Sequence, residues 1–95
     1  MTIANISDKA FNGLKVEKLL NSDMCETILI RIEANHTLPN HKTAKEALLV
    51  MQQGEAVFEI QGNKFNLKAG DHFIIPVNVE HNIVANTDSI LLIIR

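Results

Sequence analysis

Four histidines are the residues of this chain whose types and spacing could support chemistry. His36 and His41 lie five residues apart in the stretch HTLPNH, His72 opens an apolar run, and His81 lies five residues after Pro76. Imidazole is the commonest metal ligand in proteins and changes charge near neutral pH, so these histidines point to a divalent metal or a polar ligand. The sequence offers no Ser or Cys nucleophile with a histidine base, no Gly-rich phosphate loop and no acid–base pair of carboxylates.

Composition narrows the possible partners. The chain has a net charge of −2 with scattered Lys and Arg, no Trp, no Tyr and four Phe, so we expect no nucleic-acid partner. Its apolar runs are too short to cross a membrane, and the first residues lack the pattern of a signal peptide. The single cysteine, Cys25, excludes an intrachain disulfide, fits a reducing compartment and is expected in the core. We expect a soluble, cytoplasmic protein with no membrane partner.

The elements that must position the histidines are predicted to be β-strands. At 95 residues and 46% hydrophobic composition, the chain is expected to form one domain with a single core. Ile28, Ile30 and Ile32 alternate with their neighbours at the period of a half-buried strand. Two further alternating runs, 55–60 and 64–68, flank Gly62-Asn63, which we expect to form the turn of a hairpin. Strands at this short spacing predict an all-β sandwich or barrel.

Residues 41–54, HKTAKEALLVMQQG, have two interpretations. Thr43 and Glu46 match a capping box, and the apolar residues that follow end at Gly54, which is typical of a helix. Alternation instead puts Ala47, Leu49 and Met51 on one face of a strand whose two faces are both buried. Local propensity favours the helix and the surrounding strands favour the second interpretation, so the residues alone leave the two close to even.

The spacing of the carboxyl-terminal residues resembles the second motif of the cupin family. That motif is Gly, five residues, Pro, one residue, Gly, two residues, His, three residues, Asn. Here Gly70, Pro76 and His81 stand at the matching positions. Asn78 replaces the second Gly and still tolerates a left-handed turn, and Asn86 comes one residue late.

The first cupin motif is His, one residue, His, three or four residues, Glu, six residues, Gly. Counting back from Gly54, the chain keeps His41 but has Thr43 and Ala47 where the family has its second His and its Glu. The resemblance covers about residues 24–95 and implies a double-stranded β-helix (jelly-roll) barrel in which residues 45–53 are a strand. The chain would then be a single cupin domain, 1–95, with 1–23 as an amino-terminal strand or dimer arm.

The resemblance also implies which residues form the site. In metal-binding cupins the ligands of both motifs point into the barrel, so His41 and His81 are expected to face each other across it as tentative ligands. The strand parity of His41 extends to Thr43, Ala47 and Met51, which with the two histidines form the expected ligand pocket. Two imidazoles hold a divalent ion weakly.

Two further side chains are weaker candidates for completing a metal site. His36 could reach in from the barrel mouth, and Glu46 could do so through a β-bulge. The cofactor, if one binds, would be a transition metal such as zinc, iron, manganese or nickel.

Three functions remain open. The first is a barrel that binds a small molecule in its interior; the second is a metal-dependent enzyme of the dioxygenase or isomerase type. The third is an interaction module whose interior is filled by side chains, and we rank it last. Leu48, Val50 and Ile74 have outward parity, so we also expect a homodimer that covers them.

Overall fold

A computed structural model describes residues 1–95 as nine strands with no helix, which confirms the predicted all-β class. The strands are β1 (Leu14–Asn21), β2 (Glu26–Ile32), β3 (Thr37–His41), β4 (Ala47–Gln53), β5 (Glu55–Ile60), β6 (Asn63–Lys68), β7 (His72–Ile75), β8 (His81–Ala85) and β9 (Ser89–Ile94). They form two antiparallel sheets, one in the order β1-β2-β9-β4-β7 and one in the order β3-β8-β5-β6. The two sheets give the jelly-roll architecture. No segment forms a helix able to span a membrane.

The core lies between the two sheets and is built from alternate residues of the strands. Fifteen buried hydrophobic residues form one cluster, which includes Ile28 and Ile30 of β2, Leu49 of β4 and Ile83 of β8. The Phe58 ring packs edge-to-face against Phe73, with ring centroids 5.2 Å apart. The alternation in the sequence therefore identifies the inward face of each strand.

β2 is buried on both faces, which differs from the half-buried strand that its alternation predicts. The outward residues Leu29 and Arg31 are also buried, because the amino-terminal segment folds over them. The Arg31 guanidinium donates to the Ile6 carbonyl at 2.8 Å and to the Glu17 carboxylate at 2.7 Å. This cover comes from residues distant in sequence, so local alternation could not predict it.

The amino-terminal residues add an edge strand to the larger sheet of the same chain. β1 pairs with β2 from Leu14 opposite Ile32 to Asn21 opposite Glu26. Cys25 lies half-buried in the loop between these strands, so the expectation of a core cysteine was wrong. Cys25 precedes the first residue of β2, so it does not belong to the alternating run that forms the core.

Residues 41–54 contain a strand and no helix. β4 begins at Ala47, and residues 42–46 carry the chain from β3 in one sheet to β4 in the other. The Thr43 hydroxyl donates to the Lys45 carbonyl at 2.7 Å, whereas a helix cap would accept from the Glu46 amide. The strand starts two residues later than predicted, because the chain bends at Ala44 and Lys45.

The two turns predicted at Gly62-Asn63 and at Asn78 both form, and the first lies one residue earlier in the chain than predicted. Gln61 and Gly62 form the β5–β6 turn with φ values of 51° and 76°, and two left-handed residues match the twist of a tight hairpin. Asn63 lies opposite Ile60 in the ladder, so the predicted turn at Gly62-Asn63 was one residue late. Asn78 has a φ of 60°, which confirms the left-handed turn expected there.

An apolar outer face lies on the larger sheet, across β9, β4 and β7. Leu48 lies between Ile74 and Ile94, and Val50 lies opposite Leu92. Ile74 is 59% exposed. The half-buried members of this face are Leu48, Val50, Leu92 and Ile94. Their positions confirm the outward parity predicted for Leu48, Val50 and Ile74.

Gly54 marks the point where the chain crosses from the larger sheet to the smaller one. Its φ is +84°, and a Cβ at this position would collide with the Asp88 carbonyl oxygen and lie 2.8 Å from Ser89 Oγ. Only glycine satisfies both the left-handed backbone and the close approach of the β8–β9 turn. This explains why a glycine stands at this position.

We expect Gly54→Ala to lower the free energy of unfolding by about 3 kcal/mol, since it adds backbone strain to a steric clash. Gly62→Ala is the matched control, because Gly62 has a φ of +76° with nothing within 4 Å of the added Cβ. That variant should lose only about 1 kcal/mol from strain. Equilibrium urea unfolding of both variants measures the two losses, and equal losses would contradict the steric role of Gly54.

Candidate functional site

An irregularity in β3 places His41. Leu38 pairs with Ile83 and His41 pairs with His81, so three steps along β3 match two steps along β8. The extra residue of this β-bulge lets Leu38 and His41 both line the same cavity. β3 is an edge strand, where Pro39 can lack an N–H without breaking a ladder.

His41 and His81 lie side by side on neighbouring strands. Their ring centroids are 4.2 Å apart and the ring planes are inclined by 60°. The two rings therefore belong to one sheet, which corrects the expectation that they face each other across the barrel.

A hydrogen bond to the main chain fixes the orientation of each ring. His41 Nδ1 lies 3.0 Å from the Pro39 carbonyl oxygen and His81 Nδ1 lies 2.9 Å from the Val79 carbonyl oxygen. A carbonyl oxygen only accepts, so Nδ1 of each neutral ring carries the proton and Nε2 keeps its lone pair. Both rings thus leave Nε2 as a hydrogen-bond acceptor.

His81 is held in the neutral state by its surroundings. Its residue surface is 2% exposed, and the Phe58 ring packs against it with centroids 5.8 Å apart. Burial lowers the pKa of His81 below its ordinary value; the bond to the Val79 carbonyl partly opposes this, and the charge of a protonated His41 adds to the lowering. At neutral pH His81 can therefore accept a hydrogen bond through Nε2 but carries no charge.

The two histidines line a cavity of about 190 Å³ between the sheets. Eight hydrophobic side chains form most of its wall, and the polar residues there are His41, Thr43, His81 and Arg95. No carboxylate lines the cavity. Since an apolar cavity of about 150 Å³ admits benzene, this one has room for a molecule of roughly six to ten non-hydrogen atoms.

The other residues predicted for the pocket divide into two groups. Thr43 and Ala47 line the cavity beside the histidines, but Met51 does not. Met51 is four residues along β4 from Ala47, or about 13 Å, and it lies opposite Leu91 in the packed core. Shared parity therefore put Met51 on the correct face but not in the pocket.

His36 and Glu46 lie away from the histidine pair, which corrects the prediction that either could complete a metal site. His36 precedes β3 at the end opposite His41, about 16 Å along an extended chain. Its Nδ1 lies 3.2 Å from the Ala34 carbonyl oxygen. Glu46 is exposed in the connection to β4, and no bulge at the start of that strand turns it inward.

The donor set does not fit a three-ligand metal centre. No group of three or more His, Cys, Asp and Glu side chains is close enough to hold one ion. Catalytic zinc sites have three protein ligands, and non-haem iron sites use two histidines with a carboxylate. His41 and His81 supply only the two imidazoles, and the carboxylate that such a site requires is missing.

Sequence reasoning missed Arg95, the only Lys or Arg side chain that lines the cavity. The main chains of Arg95 and Glu26 exchange two hydrogen bonds of 2.9 and 2.6 Å, which extend the β2–β9 ladder by one pair. The Arg95 side chain follows the inward parity of Leu91 and Ile93. The alternation of β9 could have placed Arg95 on the inward face from the sequence. That inference requires knowing that Leu91 and Ile93 point inward, which only the fold shows.

The Arg95 guanidinium is positioned by the carboxylate of Glu26. Arg95 Nε donates to Glu26 Oε2 at 2.9 Å, and Lys18 Nζ lies 2.7 Å from Glu26 Oε1. Hydrogen bonds from Lys18 and Arg95 lower the pKa of the Glu26 carboxyl. Glu26 therefore stays ionised at neutral pH and anchors Arg95 at the rim of the cavity.

Solved structures of other proteins share this fold. An RmlC-like cupin from Desulfovibrio desulfuricans superposes with a TM-score of 0.86 and 22% identity, covering 99% of this chain and 94% of its own. A cupin superfamily protein from Desulfitobacterium hafniense gives 0.83 and 22%, covering 92% and 80%. Salicylate 1,2-dioxygenase from Pseudoaminobacter salicylatoxidans gives 0.80 and 18%, covering 86% of this chain but 26% of its own. At these identities the likeness concerns the fold alone.

A comparison by sequence gives the family. No curated protein matches the chain significantly. The family described as "Cupin domain" matches residues 28–94, which span β2 to β9 apart from the first two residues of β2 and include both histidines of the pair. The chain therefore belongs to the cupin domain family.

Proposed function

We propose that the protein binds a small molecule inside the cavity, with Nε2 of His41 and Nε2 of His81 accepting hydrogen bonds from it. The observation that carries this proposal is the pair of Nδ1 bonds to the Pro39 and Val79 carbonyls, which leave two Nε2 acceptors at the wall. An apolar cavity with a few convergent polar groups is the usual form of a ligand site. The aliphatic wall supplies contact area and the histidines fix the orientation of the ligand.

A metal-dependent enzyme of the dioxygenase or isomerase type is the second candidate. It is favoured by the two neighbouring imidazoles, whose ring centroids lie 4.2 Å apart, because imidazole nitrogens bind zinc, iron, manganese or nickel in proteins. The absence of a third donor beside His41 and His81 ranks it below simple binding. Dependence of ligand binding on added metal separates the two.

Benzyl alcohol is a suitable probe of the cavity, since its ring is the size of benzene and its hydroxyl can donate to an imidazole nitrogen. We expect it to bind with a dissociation constant in about the millimolar range, as its few atoms allow. Titration followed by the amide chemical shifts of the labelled protein measures the affinity and maps the site. Excess EDTA should leave the affinity unchanged.

Ala47→Leu fills part of the cavity, because Ala47 lines its wall. This variant should lose binding of benzyl alcohol by tenfold or more, while Ala69→Leu makes the same change in the exposed β6–β7 turn and should bind normally. If the shift changes lie outside the cavity, or if both variants bind alike, interior binding is contradicted. If EDTA abolishes binding and zinc restores it, the metal-dependent alternative replaces the proposal.

We also propose that a second copy of the chain covers the apolar outer face. Leu48, Val50, Ile74, Leu92 and Ile94 adjoin one another across three strands, and contiguous apolar surface of this kind is typical of subunit interfaces. A two-fold axis would place the same face on both partners.

We expect Ile74→Lys to convert a dimer to a monomer, because each subunit would bury an unpaired ammonium group at the interface. Val84→Lys is the control, since Val84 is an exposed apolar residue on β8 of the other sheet. Sedimentation velocity at micromolar concentration measures the mass of each variant. A wild-type protein that sediments as a monomer would contradict the dimer.

A further inference from the structure

We propose that the ligand is a small apolar carboxylate whose anionic group binds to Arg95 at the mouth of the cavity. The inference rests on the proposed function and specifies the charge of the molecule that the cavity accepts. Four observations carry it: the hydrogen bonds of the guanidinium, the charge around the mouth, the charge balance of Glu26 and the absence of acid from the cavity wall.

The Arg95 guanidinium has donors to spare. Of the five N–H groups of an arginine, one is used, by the bond from Nε to Glu26 Oε2. The side chain is 29% exposed, and it lines both the cavity and the surface cleft outside it. The bond at Nε holds the planar group in place, so its two Nη atoms can donate end-on to a carboxylate as a fork.

The mouth cleft, lined by Glu26, Lys42, Thr43, Ala44, Lys45 and Arg95, is positively charged. It has three cationic side chains and one carboxylate, although the whole chain has a net charge of −2. Local excess of one sign raises the concentration of oppositely charged ligands and their rate of association. Anions are therefore favoured at this end of the barrel.

Glu26 does not cancel the charge of the mouth. Its two oxygens are shared between Lys18 at 2.7 Å and Arg95 at 2.9 Å, so two cations face one carboxylate. Lys18 lines neither the cavity nor the mouth cleft. Lys18 thus provides a partner for Glu26 outside the site, and Arg95, which lines both the cavity and the mouth cleft, donates to Glu26 through Nε alone.

The lining of the cavity indicates the chemistry of the ligand beyond its carboxylate. Beyond Arg95 the wall consists of aliphatic side chains, Thr43 and the two histidines, with no Asp or Glu. An apolar body of roughly six to ten non-hydrogen atoms fills the volume, and a hydroxyl on it could donate to His81 Nε2. Benzoate, with a ring and a carboxylate, is the simplest molecule of this class.

The test compares benzoate with benzamide, a neutral molecule of the same shape, and with benzyl alcohol, by chemical-shift titration of the full chain. We expect benzoate to bind about tenfold tighter than benzamide at low salt, as a charged hydrogen-bonded pair does relative to a neutral one. The preference should shrink as sodium chloride is raised, because the mouth is partly exposed.

Arg95→Met should remove most of the preference for benzoate over benzamide, with only the weaker effect of Lys42 and Lys45 left. Arg95→Lys should keep more of the preference because it keeps a cation at this position. Lys64→Met removes an equal charge from an ion pair with Glu59 at the surface, and it should leave the preference unchanged. Equal affinities of wild-type protein for benzoate and benzamide overturn the carboxylate assignment, whatever the variants do. In that case, binding of benzyl alcohol in the cavity still upholds the proposed function, and failure of all three molecules overturns both.

Discussion

The site depends on one extra residue in β3. In a regular antiparallel pair, residues three apart on a strand face opposite sides of the sheet, so Leu38 and His41 could not both reach the cavity. The bulge between them places the His41 ring beside His81 at the cavity wall, where His41 stays exposed. On the outer side of the sheet, Asn82 Nδ2 donates to Asn40 Oδ1 at 2.8 Å, a bond that ties the bulged segment to β8. The position of the first histidine thus follows from an irregularity of the backbone.

The same segment also sets the chemistry of the ring. The carbonyl of Pro39, within the bulge, accepts from His41 Nδ1, and the carbonyl of Val79 does the same for His81. In its neutral form each ring then presents an unprotonated Nε2, and burial lowers the pKa of His81 and so favours that form. Fixed charge enters only at the rim, through Arg95 with its partner Glu26 and through the nearby Lys42 and Lys45. For the ligand that we propose, the interior would accept hydrogen bonds without carrying acid, and selection by charge would fall to the mouth.

The sequence predicted the parts that depend on local patterns. Alternation predicted several of the strands, among them β2, β5 and β6, and their inward faces. The motif spacing predicted the family, the left-handed turn at Asn78 and a strand over 45–53, which in the structure begins at Ala47. It could not predict the break between β3 and β4, because a parity argument assumes one continuous strand. Nor could it predict the ion pair of Glu26 with Arg95, which joins residues 69 positions apart through a ladder known only from the fold.

Histidine tautomers provide the most direct test of this account, since ligand binding by Nε2 requires the proton to reside on Nδ1. Long-range proton–nitrogen correlation spectra of protein labelled with ¹⁵N in the histidine rings distinguish the two neutral tautomers, and chelator in the sample keeps metal from the rings. At neutral pH we expect His81 to be uncharged, and we expect both His41 and His81, in their neutral forms, to carry the proton on Nδ1. A proton on Nε2 of either neutral ring, or a charged His81 at neutral pH, would contradict it.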